Sequence, residues 1–275
     1  MSAEVDYFPS RQTALYRQPE VISRREHLEE FGKDYSSGQH ATFIGPTQRG
    51  KSRLMKEMLG EVISDELKAI VLMGKPPGRE RTWNVDAAEA LGLHVTSEWP
   101  PSSLTHLENM RKGRGRPKNN NGWLLIPDQG LTDVDADDAN LYRHFKAALL
   151  HAYGSTKQQY ITVVDEAHQV QVDLKLKKNV DAPLMRGAPD NAVWQSLQRG
   201  AWVSMQTYAA PEHVFIFKDK NRDNQQRYGE IGGVDTAEMV QIVRNLKTHR
   251  VPSVGTISQA AYFRRADDEI RIVDT

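Results

Sequence analysis

Eight consecutive residues carry the clearest chemistry in the chain. Glycines are needed in a phosphate-binding loop because a Cβ atom would keep the backbone N–H groups from converging on phosphate oxygens. A lysine there contacts the outer phosphates, and a serine hydroxyl is a ligand of Mg²⁺. The pattern G-x-x-x-x-G-K-[ST] is matched at every position, which predicts a Walker A loop that binds ATP and Mg²⁺. The loop reads Gly45, Pro46, Thr47, Gln48, Arg49, Gly50, Lys51 and Ser52.

A second group of candidates lies at the end of an apolar, β-branched run. Ile161 to Val164 predicts a strand, and Asp165 and Glu166 follow it directly. Alone, an acidic pair in this position is equally compatible with the cap of a following helix. In the same chain as the phosphate loop, it predicts a Walker B motif. We expect Asp165 to hold Mg²⁺ and Glu166 to polarise the attacking water as a general base.

A further polar candidate is Gln206. The apolar run Trp202 to Met205 predicts the next strand, with Gln206 at its carboxyl end. Ligands of open parallel sheets bind at that end of the strands. We expect Gln206 to sense the γ-phosphate or to hold the attacking water, and the alternative is an ordinary polar residue at a strand end.

The elements that must position these residues follow the pattern of an α/β fold. From His40 onwards, short apolar runs alternate with amphipathic segments, as in a parallel sheet covered by helices. The predicted strands are 41–44, 69–73, 123–126, 161–164, 202–205 and 214–217. Helical spacing predicts helices over 54–63, over 141–149 and after Asp235, and alternation predicts a hairpin over 261–273. The predicted fold is a RecA-like P-loop NTPase, a mostly parallel sheet flanked by helices with a C-terminal hairpin.

The same pattern divides the chain. Residues 1–38 are polar and predict an N-terminal arm with one helical stretch near 19–35, and residues 39–275 form the ATPase domain. Two connections, 75–121 and 169–190, are too long for plain turns. The first is expected to hold a short helix near 86–91 and an exposed projection. Both leave the sheet that carries the motifs, so they are candidates for functional loops.

Composition excludes several classes of protein. Of 275 residues, 39% are hydrophobic and 26% are charged, which suits a chain with a sizeable core. No apolar run reaches the length of a membrane span or resembles a signal peptide, so we expect no membrane partner and a cytoplasmic location. The absence of cysteine excludes disulfides and Cys-ligated zinc. Lys and Arg number 36, as do Asp and Glu, so any binding of nucleic acid must rest on local basic patches.

Two such patches lie in the long connections. The segment 111–118 holds five positive charges in eight residues, and its centre, Arg114-Gly115-Arg116-Pro117, is similar to an AT-hook. A solvated loop, contact with DNA phosphates and A·T readout are the three interpretations. The candidates there are Arg111, Lys112, Arg114, Arg116 and Lys118, and the second patch consists of Lys175, Lys177 and Lys178.

The order of motifs resembles the FtsK/HerA superfamily of DNA pumps, which includes conjugation and viral genome-packaging motors. The motifs are GPTQRGKS, ITVVDEAH, LQRGAWVSMQTYAAPEHV and YGEIGG, within about Gln39 to Lys247. In that family a helix ending in Arg-Gly precedes a strand and a Gln-Arg stretch, and here Thr207 stands in place of the arginine. The sequence shows no N-terminal membrane anchor or C-terminal winged helix, which favours a compact motor of a phage or mobile element.

The resemblance implies a ring, usually hexameric, that acts on double-stranded DNA. It also implies that an arginine from a neighbouring copy completes each site, and that the loop after Walker B, with Lys175, faces the pore. Arg199 is the first candidate for that arginine, and Arg222 and Arg227 are the second. A portal protein or a nuclease is a further expected partner.

Three functions are compatible with these motifs. The first is an ATP-driven motor that translocates or packages DNA. The second is an ATP switch that controls DNA or partner binding without movement, as in initiator or transposition proteins. The third, a small-molecule kinase, is disfavoured because Asp165 and Glu166 supply a hydrolytic base that a kinase does not need.

Overall fold

A ten-stranded sheet runs through the part of the chain that the computed structural model describes, residues 18–76, 79, 81–102, 120–198, 204–232, 235–251, 255–265 and 270–274. The strands are β1 (Glu20–Ile22), β2 (Ala41–Ile44), β3 (Leu67–Leu72), β4 (Leu93–Thr96), β5 (Gly122–Leu125), β6 (Gln159–Val164), β7 (Ala192–Leu197), β8 (His213–Phe217), β9 (Thr248–Val251), β10 (Gly255–Ser258), β11 (Ala260–Arg264) and β12 (Ile270–Val273). The helices are α1 (Arg24–Asp34), α2 (Lys51–Val62), α3 (Val85–Leu91), α4 (Val134–Gly154), α5 (Lys177–Arg186), α6 (Gln206–Ala209), α7 (Arg222–Gly232) and α8 (Thr236–Asn245). A π-helical turn, Gln169–Asp173, lies between β6 and α5, and β9 and β10 form a separate antiparallel pair.

The order of the strands brings the two motifs together. Across the sheet the strands run β1-β12-β11-β8-β2-β7-β6-β3-β5-β4, and neighbours from β8 to β4 are parallel. β2 leads into the Walker A loop and β6 into the acidic pair, with β7 between them. Because carboxyl ends of parallel strands lie at one edge, both motifs meet there. The predicted parallel sheet is confirmed, and so is the C-terminal hairpin, since β11 and β12 are antiparallel.

Helices cover both faces of the sheet. Phe43 and Ile44 are neighbours on β2 and point to opposite faces. Phe43 packs in the layer of α1, α2 and α3, whereas Ile44 packs in the layer of α4, α5, α7 and α8. Strands buried on both faces read as unbroken apolar runs, so the sequence reveals most of them. Within the described ranges, no helix is both long and apolar enough to cross a membrane.

The described part of the predicted N-terminal arm packs in the layer that contains α2 and α3. β1 pairs with β12 in parallel. Ser23 caps α1 by accepting an N–H from its first turn, and Phe31 of α1 is buried. The boundary at residue 38 between arm and domain stays a prediction, and residues 1–17 lie outside the described part.

One predicted strand is wrong at its described residues, and the central strand β7 was missed, as were the peripheral strands β1, β4, β9 and β10. The run 202–205 predicts a strand, yet its described part, 204–205, leads directly into α6. The strand beside β6 is β7, in a segment where the resemblance implies a helix. Gln195 and Ser196 interrupt the apolar pattern of β7. Both side chains are buried and hydrogen-bonded within the protein, so polarity there does not indicate exposure.

The long connections contain regular elements. The helix expected near 86–91 forms as α3, and β4 follows it. The connection 169–190 contains the π-helical turn and α5. The basic segment 111–118 lies outside the described residues.

Two histidines, His27 on α1 and His213 on β8, are almost fully buried. Burial lowers the pKa of His27 to about 4, and the charges of Arg271 and Arg24 add to this effect. Burial also lowers the pKa of His213 to about 3, with a contribution from Arg264. Both imidazoles are therefore neutral in the folded protein at pH 7.

The free energy of unfolding should fall as the pH drops from about 6.5 towards about 4. The unfolded chain takes up protons on its histidines in this range, whereas the folded state keeps His27 and His213 neutral. Denaturant titrations at a series of pH values measure the slope. The variant His27→Phe should flatten it by up to about 1.4 kcal/mol per pH unit. The exposed Ser36, which does not titrate, supplies the control variant Ser36→Ala, which should keep the wild-type slope. An unflattened slope in His27→Phe would contradict the assignment.

Candidate nucleotide site

The Walker A loop wraps around the start of α2. Gly45 has a φ of 149°, and a Cβ atom added to it would lie 2.8 Å from Cβ of Phe217. A side chain at this position is therefore excluded. Gly50, with a φ of 94°, is the N-terminal cap of α2, whose first turn has no acidic residue. The free N–H groups and the positive end of the helix thus favour an anion in the loop.

Lys51 brings a buried positive charge into this loop. Its Nζ donates to the carbonyl oxygens of Gly45 and Pro46, each at 2.7 Å. Burial lowers the pKa of Lys51 to about 8, the carboxylates after β6 oppose this effect, and the nearby charges of Lys75 and Arg49 add to it. At pH 7 the ammonium is mostly protonated and is held by oxygens of the loop itself.

The carboxylate of Asp165 joins three elements. It is buried at the end of β6, and its Oδ1 accepts a hydrogen bond from Oγ of Ser52 on α2 at 3.0 Å. The same Oδ1 accepts from Oγ of Ser196 on β7. A hydroxyl and a carboxylate oxygen at this spacing are hard ligands of the kind that Mg²⁺ prefers, together with phosphate oxygens and waters.

At Glu166 the backbone turns away from the direction of β6. The φ of Glu166, 61°, is the left-handed conformation, which is uncommon for a residue other than glycine. Its N–H donates to Oγ of Ser196 at 3.2 Å, and its carboxylate forms an ion pair with Lys75. Ser196 therefore contacts both acidic residues, and the turn points their carboxylates at different partners, Asp165 at Ser52 and Glu166 at Lys75.

The donors and acceptors of the site fit ATP with Mg²⁺. Besides Lys51, the loop contains Arg49, whose Nε is buried and has no hydrogen-bond partner among the described residues. These groups and the N-terminus of α2 suit a polyphosphate, and the pair Ser52 and Asp165 suits its metal. The residues predicted for the loop and the acidic pair thus lie together.

Gln206 does not stand where the sequence predicts. It is the first residue of the short helix α6 and not the end of a strand. The residue that follows the strand between the two motifs is Gln198, which is exposed. The backbone N–H of Gly45 donates to the carbonyl of Leu197 at 3.0 Å, so Gln198 leaves β7 beside the Walker A loop. In the sequence Gln198 is followed by Arg199, which is the Gln-Arg order that the resemblance implies.

Thr207 belongs to a buried polar network. Gln171, in the turn after Walker B, donates to Oγ1 of Thr207 at 2.8 Å and to the side-chain oxygen of Gln195 at 3.2 Å. Gln195 donates in turn to the carbonyl of Thr207 at 3.0 Å. These contacts attach α6 to β7 and to the turn after Glu166.

The remaining candidates lie on the surface or outside the described residues. Arg222 and Arg227 are exposed on α7. Lys175, Lys177 and Lys178 are exposed between the π-helical turn and the first turn of α5. Arg199 and the five cations Arg111, Lys112, Arg114, Arg116 and Lys118 lie outside the described residues.

The fold and the site together define a class of protein. A Walker A loop between β2 and α2, with an acidic pair two strands away on a largely parallel sheet, is the architecture of a RecA-like P-loop NTPase. No family model matches the chain, and no curated protein matches it in sequence.

Solved structures match it in fold. One is B204, the DNA-packaging ATPase of Sulfolobus turreted icosahedral virus, with a TM-score of 0.54 and 15% identity over 87% of this chain and 98% of B204. Another is the genome packaging NTPase B204 of Sulfolobus turreted icosahedral virus 2 in complex with AMPPCP, with a TM-score of 0.53 and 15% identity over 86% of this chain and 97% of that one. The likeness to these structures confirms the predicted fold, a mostly parallel sheet flanked by helices.

The variant Ser196→Ala should weaken Mg²⁺-dependent nucleotide binding. It removes the hydroxyl that contacts Asp165 and the N–H of Glu166, while both acidic side chains remain. A lost hydrogen bond to a charged group corresponds to about a tenfold change in affinity. Isothermal titration with an ATP analogue, with and without Mg²⁺, measures it. The exposed Ser36 supplies the control Ser36→Ala, and equal affinities for the two variants would refute the role of Ser196.

Proposed function

We propose that this protein is an ATP-hydrolysing motor that translocates or packages double-stranded DNA as a hexameric ring. The observation that carries the proposal is the meeting of Lys51, Ser52, Asp165 and Glu166 at one edge of the sheet, with Ser52 and Asp165 joined by a 3.0 Å hydrogen bond. The likeness in fold to a DNA-packaging ATPase supports DNA as what the motor acts on.

Each residue of the site has its own role in this proposal. Lys51 turns from the loop carbonyls to the β- and γ-phosphates, beside the N–H groups of α2. Ser52 and Asp165 hold Mg²⁺, and Glu166 accepts a proton from the attacking water. When bound, Mg²⁺ neutralises negative charge on the phosphates.

Two further roles are proposed for the edge of this site. Gln198 takes the place of Gln206 as the residue that senses the γ-phosphate, because it leaves β7 next to the loop. An arginine of a neighbouring copy stabilises charge on the transferred phosphoryl group. Arg199 follows Gln198 directly and is the first candidate, and Arg222 and Arg227 are the second.

DNA contact is proposed for the two basic patches. The segment 111–118 supplies charge that the neutral chain lacks as a whole. Lys175, Lys177 and Lys178 are exposed close to the turn that follows Glu166, and this position supports a contact with DNA that responds to movement of Walker B.

The variants Lys51→Ala and Glu166→Gln should fail in different ways. Lys51→Ala removes the buried ammonium, so tight binding of ATP is lost, whereas Glu166→Gln keeps binding and loses turnover because the base is absent. Isothermal titration and phosphate release measure the two effects, and both variants should lose ATP-dependent displacement of a triplex-forming strand from duplex DNA. Hydrolysis at the wild-type rate by Glu166→Gln would show that Glu166 is not the general base.

The same assays separate the motor from the alternative function. If the wild-type protein hydrolyses ATP and binds DNA without displacing the strand, it is an ATP switch.

Replacing the cations of the segment 111–118 should weaken DNA binding and leave basal hydrolysis intact. The substitutions to Gln are made at Arg111, Lys112, Arg114, Arg116 and Lys118. Each lost phosphate contact should flatten the plot of log affinity against log salt by about 0.9. Gln at five exposed residues elsewhere, Arg25, Lys33, Lys157, Arg186 and Arg250, controls for the change in net charge. Loss confined to A·T-rich duplexes would indicate minor-groove readout, and unchanged affinity and slope would show that the segment is a solvated loop.

A further inference from the structure

Lys75 lies at the same edge of the sheet as the acidic pair. β3 and β6 are parallel neighbours, and Leu72 is opposite Val164 at their carboxyl ends. The chain therefore leaves β3 beside the point where Asp165 and Glu166 leave β6. Three residues after Leu72, the ammonium of Lys75 forms an ion pair with Oε1 of Glu166.

Two contacts fix the backbone at Gly74, which follows β3. A Cβ atom at Gly74 would lie 2.3 Å from Oε1 of Gln169, so the absent side chain leaves room for a residue of the turn after Walker B. On the other side, the amide of Gln129 donates to the carbonyl of Gly74 at 3.0 Å. These contacts position Lys75 against Glu166 from a fixed backbone.

Lys75 also lies close to Lys51, because its partner Glu166 directly follows Asp165, and Asp165 accepts a hydrogen bond from Ser52, the neighbour of Lys51. The charge of Lys75 adds to the lowering of the pKa of Lys51. Each ammonium is bonded to oxygens of the chain, Lys51 to the loop carbonyls and Lys75 to Glu166. The side chains of Lys75 and Glu166 are 38% and 29% exposed, so an incoming anion can reach their ion pair. An outer phosphate between the two ammonium groups would relieve their repulsion.

We propose that Lys75 is a second phosphate-binding lysine, which exchanges its contact with Glu166 for the γ-phosphate of bound ATP. The exchange frees Oε1 of Glu166 to accept a proton from the attacking water. ADP has no γ-phosphate, so Lys75 stays on Glu166 in the product complex. This inference rests on the proposed nucleotide site. It adds a reason why Glu166 is available as a base when ATP is bound and is not available when ADP is bound.

The test compares ATP-gammaS and ADP binding, both with Mg²⁺, by isothermal titration. Lys75→Met keeps the length of the apolar stem and removes the charge. It should weaken ATP-gammaS about tenfold and change ADP less than twofold, because the lost contact is to the γ-phosphate. Lys75→Arg should restore most of the affinity. Lys146, whose ammonium contacts the hydroxyl of Tyr142 on α4, supplies the control Lys146→Met, which should bind both nucleotides as the wild type does.

Glu166→Gln gives an independent measurement. Without the carboxylate, Lys75 has lost its competing partner, so this variant should bind ATP-gammaS more tightly than the wild type, and the gain should vanish in the double variant with Lys75→Met. An equal loss for ATP-gammaS and ADP in Lys75→Met, or no gain in Glu166→Gln, would overturn the proposal. If Lys51→Ala also left both affinities unchanged, the proposed nucleotide site itself would be wrong.

Discussion

The buried carboxylate of Asp165 is the group on which the arrangement of the site depends. A carboxylate removed from water must be compensated by hydrogen bonds, and a large free-energy penalty results when they are missing. Asp165 receives them from Ser52 on α2 and Ser196 on β7. The contacts that satisfy its charge therefore also set the distance between the Walker A loop and the Walker B strand. Through Ser196, which accepts the N–H of Glu166, they reach the candidate base as well.

Polar contacts extend this constraint beyond the site. Gln195 lies in the fully buried strand β7, and its amide holds the backbone of Thr207, while Gln171 joins both from the turn after Glu166. Buried networks of this kind are stable only when each member has its partner, so they specify one arrangement of the elements that share them. In this protein those elements are the turn after β6, the strand β7 and the helix α6, and in the sequence Gln198 lies between that turn and α6. The network therefore connects the turn after Walker B directly with α6.

Positive charge is concentrated in a protein with no net charge. Lys51, Lys75 and Arg49 lie near one another at the carboxyl edge of the sheet, as the lowered pKa of Lys51 reflects. Lys51 and Lys75 are bonded to oxygens of the chain itself, which stabilises the cluster without a ligand. In the proposed mechanism the contacts of Lys51 are exchanged for phosphate, because phosphate oxygens offer stronger charge-assisted hydrogen bonds than backbone carbonyls do.

Local patterns determined most of this fold and the centre of its site. Most strands that are buried on both faces are largely apolar, and the Walker A loop is specified by glycine positions that backbone geometry demands, so both can be predicted from a single sequence. β7 could not be predicted, because Gln195 and Ser196 have the polarity of solvent-exposed residues and their buried hydrogen-bond partners are not evident from the sequence. Only the tertiary structure shows that β7 separates the two motifs, that Gln198 and not Gln206 follows it, and that Lys75 faces Glu166. These features depend on contacts between residues far apart in the chain, where the spacing along the sequence carries no information.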